Sequence, residues 1–349
     1  MKVKKTIQAK IVHLTKVKQL LLDQEYINLQ RFLQGKEAEL YSASKQQAKR
    51  FYRKVKPNKE YPLSIRKDLL KIEKRDTKIA QYWARIPVKG RRGGIWVAIK
   101  PHCPIESDMG ICESKLFKRN GDFYLHITVQ KEVEPKNDWN NILAIDLGVH
   151  NIATTVNSVD KKPKFYGKRL RAIRGHFFRL RRKLPNRKAV RKVGSHEKRI
   201  VNHEIHKISK AIVQEANQTN SAIAIGKLKG IRRNGGGRKF NRKLNSFPYY
   251  KLSSYIKYKA EWLGIPVLTV SEAYTSQTCS RCGSRGLRAR GLFQCPACSL
   301  SLNADYNGAR NIMKRAFGLV SKVGAFVNTL RTNPTDSLNP MMRLEAHSL

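Results

Sequence analysis

Four cysteines constrain this fold more tightly than any other feature of the sequence. Cys279 and Cys282 form one CxxC pair, Cys295 and Cys298 form a second, and twelve residues separate the two. Each CxxC bends tightly enough for both thiolates to reach one ion, and this spacing is that of a zinc ribbon. Disulfides are the weaker alternative, because nothing else in the sequence suggests secretion. A shell of four thiolates is closed, so a Zn²⁺ held there is structural and chemistry has to come from other residues. Cys103 and Cys112 have no CxxC partner and read as ordinary thiols.

Charge is the second constraint. The 349 residues carry 71 Lys and Arg against 25 acids, a formal charge of +46, while 40% are hydrophobic. That is enough apolar material for real cores and too much for a wholly disordered basic chain. So large a charge repels itself in a compact chain unless a polyanion neutralises it, and nucleic acid is the obvious one. The balance nearly excludes a soluble metabolic enzyme acting alone. No apolar run approaches the ~20 residues of a membrane span. The N-terminal MKVKKTIQAKIVHLTKVK has no uninterrupted apolar core and does not read as a secretory signal.

Periodicity divides the rest. Residues 1–15 carry Val3, Ile7, Ile11, Val12 and Leu14 among lysines, the pattern of one strand. A helical stretch is expected from Lys16 to Phe51, and a second after Ser64 as N-cap, with Ile65, Leu69, Ile72, Ile79 and Trp83 at helical spacing. From Gly93 the period changes. Ile95–Ile99 reads as a strand, and Ser114–Lys118 and Asp122–Gln130 flank an Asn120-Gly121 hairpin turn. The reading is a β module, 1–15 and 86–135, with a helical insertion at 16–85.

A second block starts near Asn141. Ile142–Ile145 is an apolar strand ending in Asp146, and Ile152–Val156 follows. A basic helical hairpin is expected over 165–216. Residues 161–210 hold 19 Lys and Arg and only two acids, Glu197 and Glu204. A solvated face is the bland reading; so lopsided a balance favours a phosphate-facing surface, with Arg169, Arg174, Arg179, Arg182 and Lys183 as candidate contacts. Phe177 and Phe178 read as core. A strand at Ala222–Ile225 leads to a glycine-rich basic loop, 226–250, without Walker spacing; Arg232, Arg233, Arg238 and Lys239 are its candidate contacts. A helix with Leu252, Ile256 and Leu263, a strand at Pro266–Val270, the ribbon at 275–300 and a last helix from Ala304 complete a mixed α/β domain spanning 141–274 and 301–320. The tail, 321–349, shows no clear period and is expected to be disordered.

From Asp146 onward there are only ten acids. An acid near a bound backbone opposes binding, so acids kept at element ends need a reason. Asp146 ends one strand, Glu272 lies just past another, and Asp305 opens the last helix. Alone, each has a bland reading: turn residue, surface acid, helix N-terminal charge. Together they form a candidate triad for Mg²⁺, which prefers carboxylate oxygens, and two ions about 4 Å apart activate water and stabilise a leaving oxygen.

These residues meet a family pattern. AIDLGVHNIATT resembles the first RuvC motif of the transposon-encoded TnpB proteins. YTSQTCSRCG, followed by FQCPACSLSLNADYNGARNI, resembles their zinc ribbon and third RuvC motif. The resemblance covers about 141 to 317; the first 135 residues fit the family's wedge and recognition arrangement in order and size. It implies an RNase H-like (RuvC) nuclease domain with a zinc-ribbon insertion, behind a β-barrel-like wedge module that carries a helical recognition insertion. It also implies an RNA-guided DNA endonuclease, related to type V CRISPR effectors and Fanzor proteins. A guide RNA from the transposon end would pair with target double-stranded DNA beside a short duplex motif read by the N-terminal modules. The expected cofactors are two Mg²⁺ or Mn²⁺ ions and one structural Zn²⁺. A monomer in a prokaryotic cytoplasm, nucleoid-associated when bound to DNA and without a membrane partner, is the matching setting. The family's catalytic aspartates map onto Asp146 and Asp305.

One motif departs. Many members have glutamate after the second motif's apolar strand; here the run is AIAIGKLKG, with Gly226 in that place. Either the glutamate has moved to the next strand end, as in some TnpB-like proteins and Fanzors, which would make it Glu272 in VSEAYTSQTC, or the chain is a nuclease-inactive, RNA-guided DNA-binding repressor. Because both aspartates and a replacement acid remain, the displaced glutamate is the favoured reading. Asn307 and Asn311 are expected to orient the last helix or to serve its packing.

Overall fold

The computed structural model describes residues 1–331 except 57–58, 149, 228–236, 238–240 and 242–246, with only the backbone course given for 321–331. Two compact units divide at Val133 and Glu134.

The first unit holds β1 (Lys2–Val12), α1 (Lys16–Leu33), α2 (Ser42–Phe51), β2 (Leu63–Ile65), β3 (Lys71–Lys74), β4 (Tyr82–Ile86), β5 (Ile95–Pro101), β6 (Gly110–Ile111), β7 (Ser114–Arg119) and β8 (Asp122–Glu132). They form one sheet in the order β2-β7-β8-β1-β5-β4-β3, with β6 added to β8. Every pairing is antiparallel. The alternation in β1 decides its register: Val3, Ile7, Ala9 and Ile11 are buried and the intervening lysines are not. Asn120 and Gly121, at φ 51° and 85°, make the tight turn expected between β7 and β8.

The helical expectation fails after Ser64. Residues 63–86 form β2, β3 and β4 instead of a helix, so the helical insertion shrinks to α1 and α2. Tyr82, Ala84 and Ile86 are buried while Trp83 and Arg85 are half-buried, a period of two that local helical spacing concealed. Pairing of β4 along β5 supplies both the hydrogen bonds and the buried face.

The second unit holds β9 (Asn141–Asp146), β10 (Ala153–Asn157), β11 (Pro163–Tyr166), α3 (Lys168–Arg182), α4 (Arg187–Gln218), β12 (Ser221–Lys227), α5 (Tyr249–Trp262), β13 (Val267–Ser271), β14 (Leu287–Ala289), β15 (Leu292–Gln294), β16 (Ser301–Asn303) and α6 (Ala304–Arg331). A five-stranded sheet runs β11-β10-β9-β12-β13. β9, β10 and β11 form an antiparallel meander, and β12 and β13 add in parallel. Three ribbon strands, β14-β15-β16, form a separate small sheet. The architecture is mixed α/β, an RNase H-like arrangement with a zinc-ribbon insertion.

The central sheet has two unlike faces. Leu143, Ile145, Ile223 and Ile225 pack with Val201, Ile205 and Ile212 of α4 and with Leu252 and Ile256 of α5. On the other face Ile142, Ala144, Ala224 and Val270 pack with Ala309, Ile312 and Ala316 of α6. Small residues there let α6 lie close to the strands.

α6 continues to Arg331, beyond the boundary at 320 after which disorder was expected. The first proline after Ala304 is Pro334, so nothing earlier forces the helix to stop. Most of the basic loop at 226–250, including Arg232, Arg233, Arg238 and Lys239, lies outside the described residues, as does the chain after 331.

Candidate metal centres and acid site

The ribbon is built from the cysteine spacing upward. Cys279 and Cys298 sulfurs lie 3.6 Å apart, and Cys282 and Cys295 sulfurs 3.5 Å apart. All four lie within 4.8 Å of one another. A tetrahedral Zn–S distance of about 2.3 Å puts sulfurs at roughly such separations, so the thiols could hold a metal ion such as zinc. Cys279 and Cys295 are buried with Phe293 and Leu300 in a small apolar cluster.

Asn307 and Asn311 fasten α6 to the entrance of this ribbon. Asn307 Nδ2 donates to Thr278 O at 2.7 Å, and its Oδ1 accepts from Ser280 N at 2.9 Å. Asn311 Nδ2 donates to Thr275 O and Thr278 O at 2.8 and 2.7 Å. Both side chains are buried. These contacts are with backbone, so the two asparagines set how the ribbon sits on the helix.

The three acids come from three elements. Asp146 ends β9, Glu272 follows β13, and Asp305 lies in the first turn of α6. Asn303 caps that helix: its Oδ1 accepts from Asp305 N and Tyr306 N at 2.9 and 3.2 Å. Parallel register pairs Ile225 with Ile145 and Gly226 with Val270, so the ends of β9, β12 and β13 lie side by side. Side chains at 142, 144, 224 and 270 face α6, and the alternation carries 146, 226 and 272 to the same face.

Glycines make room for the acids. A Cβ at Gly308 of α6 would lie 2.8 Å from Asp146 Oδ2. A Cβ at Gly226 would lie 1.8 Å from Glu272 Oε1, inside any allowed contact. The Glu272 carboxyl group therefore fills the space that a side chain at position 226 would need. Its Oε1 is buried and has no hydrogen-bond partner among the described residues.

Electrostatics link the acids in series. Burial, then the Asp305 charge, pushes the Asp146 carboxyl up to about 7, with Arg288 opposing. Burial, then Asp146, pushes Glu272 up to about 8. Asp305 is 6% exposed and well partnered: Arg288 Nη2 lies 2.9 Å from its Oδ1, and Asn151 Nδ2 donates to its Oδ2 at 3.0 Å. Among the described residues only the four thiols gather closely enough to make up a metal site as they stand; the three carboxylates do not. Two carboxyl groups, each raised by burial and then by a neighbouring acid, are an all-oxygen donor set that suits a hard divalent cation. Arg288, on β14 of the ribbon, belongs to this cluster and was not singled out from sequence; no spacing links it to Asp305.

The basic helices divide. Arg174 and Arg181 both pair with Glu197, which is 3% exposed, and Arg174 Nη1 is 3.0 Å from its Oε1. Arg174 is thus engaged inside the hairpin. Arg169 lies 3.5 Å from Glu204 with most of its side chain in solvent, and Arg179, Arg182 and Lys183 are exposed. Phe177 is buried, as expected of a core residue.

Comparison with known proteins matches the same elements. Residues 249–312, from α5 through the ribbon into α6, match the family model "Cas12f1-like, TNB domain". A TnpB-like protein of Methanocaldococcus jannaschii is 30% identical over 216 residues, covering 57% of this chain and 76% of that protein. The chain belongs to the TnpB family. A CRISPR-associated endodeoxyribonuclease, Cas12f2, of a Micrarchaeota archaeon is 31% identical over 221 residues, 56% of this chain and 40% of that relative. The TnpB-family chain thus spans less than half the length of this CRISPR-associated relative. Its fold is similar to that of a Cas12f1 solved by cryo-electron microscopy with single-guide RNA and target DNA, at TM-score 0.54 and 15% identity over 85% of this chain and 80% of the other. Among the described residues no helix is long and apolar enough to cross a membrane.

Proposed function

We propose that this chain is an RNA-guided DNA endonuclease that cleaves target DNA beside a short transposon-associated motif by Mg²⁺-dependent hydrolysis. Relatives named as TnpB-like and as an endodeoxyribonuclease, and a fold shared with a guide-RNA and target-DNA complex, support the reading. The observation that carries it is the Glu272 carboxyl group seated against Gly226, with one oxygen unpartnered among the described residues, beside Asp146. The overlap of that carboxyl group with the space beside Gly226 supports the reading that Glu272 replaces the second motif's missing glutamate.

Asp146, Glu272 and Asp305 would hold two Mg²⁺ or Mn²⁺ ions. When bound, such ions activate the attacking water and stabilise the leaving 3′-oxygen. The chain's part is to keep the three carboxyl groups desolvated and fixed: Gly226 and Gly308 admit them, Asn151 orients Asp305, and Arg288 balances its charge. Zn²⁺ on Cys279, Cys282, Cys295 and Cys298 is structural. The partners are a guide RNA from the transposon end and target double-stranded DNA, bound by a monomer in a prokaryotic cytoplasm. The first unit acts as wedge and recognition modules, and exposed Arg169, Arg179, Arg182 and Lys183 contact phosphates.

The test is the purified ribonucleoprotein on a target plasmid with Mg²⁺. Wild type cuts, and Asp146→Ala and Glu272→Ala do not. If both variants cut like wild type, the assignment is wrong. If wild type binds the target and never cuts, the repressor reading replaces it.

A further inference from the structure

Two residues beyond Glu272 the backbone turns sharply. Tyr274 has φ +60°, a left-handed conformation that a residue with a Cβ rarely adopts, and its side chain is largely in solvent, the residue being 66% exposed. Neither feature serves a core. A buried apolar ring would repay a strained backbone by its packing; an exposed one does not.

The strain is held in place by a full set of partners. Tyr274 O accepts from Gln277 N and Thr278 N at 3.0 Å and from Thr278 Oγ1 at 2.9 Å. Arg315 of α6 donates to Ser271 O and Ala273 O, both at 2.7 Å, on either side of Glu272. One guanidinium thus fixes both the strand end that carries Glu272 and the turn that presents Tyr274. The backbone that carries the exposed ring is held in place.

The ring borders a recess. Tyr274, Gln277, Thr278, Gly283, Arg285 and Arg315 line a shallow cavity of about 500 Å³ at the foot of the ribbon. Arg285 donates to the neutral Gln277 Oε1 at 3.2 Å, and among the described residues neither arginine has a carboxylate partner. An exposed aromatic ring in one recess with two guanidinium groups that lack a carboxylate partner among the described residues, together with amide and hydroxyl groups, matches a nucleotide: the ring would stack the base and the positive charge would attract the phosphate. An anionic peptide would leave the ring without a partner.

We propose that this recess is a base-stacking site for the DNA strand being cut, with Tyr274 as its platform. It rests on the nuclease reading and names how the substrate strand is held beside Glu272. The ring accepts any base, so the site fixes the strand without reading sequence. It takes single-stranded DNA, because a base inside a duplex has no free face to offer.

The experiment uses the full chain as its ribonucleoprotein, in buffer without Mg²⁺ so that nothing is cut. The probe is a single-stranded oligodeoxynucleotide carrying one 2-aminopurine, whose emission falls on stacking. Wild type binds and quenches it. Tyr274→Ala and Tyr274→Gly weaken binding about 5- to 150-fold, the effect of losing one stacked base, and lose the quench. Tyr274→Phe and Tyr274→Trp retain both. Tyr274→Gly also removes the backbone strain, so it melts no lower than wild type, and unchanged zinc content shows that the ribbon is intact. Wild-type binding by the Ala and Gly variants overturns the proposal. So does loss in Tyr274→Phe, which would assign the effect to the hydroxyl group. So does a Tyr274-dependent signal from 2-aminopurine in the guide RNA but not in the DNA. Because the readout needs no cleavage, a wild type that binds target DNA and never cuts it would sink the nuclease reading and leave this result standing.

Discussion

The two faces of the central sheet are made of the same five strands and do opposite things. Toward α4 and α5 the strands present Leu143, Ile145, Ile223 and Ile225, large side chains that fill space. Toward α6 they present Ala144, Ala224 and Gly226, and α6 answers with Gly308 and Ala309. The first face gives up space to gain apolar burial. The second buries Ile142, Val270 and Ile312 as well, and its small residues let backbone and acids approach. Stability and chemistry are divided between them, and one residue of register slip would exchange them.

Substitutions at neighbouring positions of β12 break this comparison most directly. Ile223→Ala, on the large-residue face and fully buried, should cost about 2–5 kcal/mol in urea unfolding. Ala224→Leu, one residue on, has no cavity to fill; overpacking should cost about 1–3 kcal/mol and displace α6, lowering cleavage more than stability suggests. If Ala224→Leu is neutral in both measurements, the close approach of α6 is not what the small residues are for.

Gly308→Ala separates the two roles within α6. Alanine favours a helix interior by up to about 1 kcal/mol over glycine, so the melting temperature should hold or rise. The added Cβ would sit 2.8 Å from Asp146 Oδ2, so stabilisation by added Mg²⁺ should fall at least severalfold in thermal shift. Retained Mg²⁺ stabilisation would contradict the placement of Asp146 against the helix.

The smallest expected effect lies on the apolar face, where Lys259 of α5 donates to His206 O and Ser209 Oγ of α4. Burial, then Lys210, lowers Lys259 to about 8 from the ordinary 10.5. A cation depressed on folding binds more protons when unfolded, so stability should rise as pH increases from about 8 to 10.5. Lys259→Met should flatten that slope relative to wild type; identical slopes in urea titrations would refute it.

Much of the second unit was legible because its signals are local. The four thiols lie within twenty residues of chain, from 279 to 298, and β9 announces itself as an apolar run closed by Asp146. Asn120-Gly121 fixed a hairpin for the same reason. The residues 63–86 misled because Ile65, Leu69 and Ile72 recur at steps that also suit a helix; only pairing with β5 and β7 decides for strands. Glu272 could be suggested but not seated from sequence, since its fit depends on Gly226 across a parallel ladder. Arg288 on Asp305, and Arg174 turned inward to Glu197, arise from tertiary packing that no spacing encodes.

The central claim is that a glutamate displaced from one strand end to the next completes the acid site. Cleavage of a target plasmid by ribonucleoprotein carrying Glu272→Gln, in Mg²⁺, tests it most directly. The account predicts unchanged target binding with cleavage reduced by at least about 100-fold, roughly the loss of one group acting in the transition state. Cleavage at the wild-type rate would contradict it.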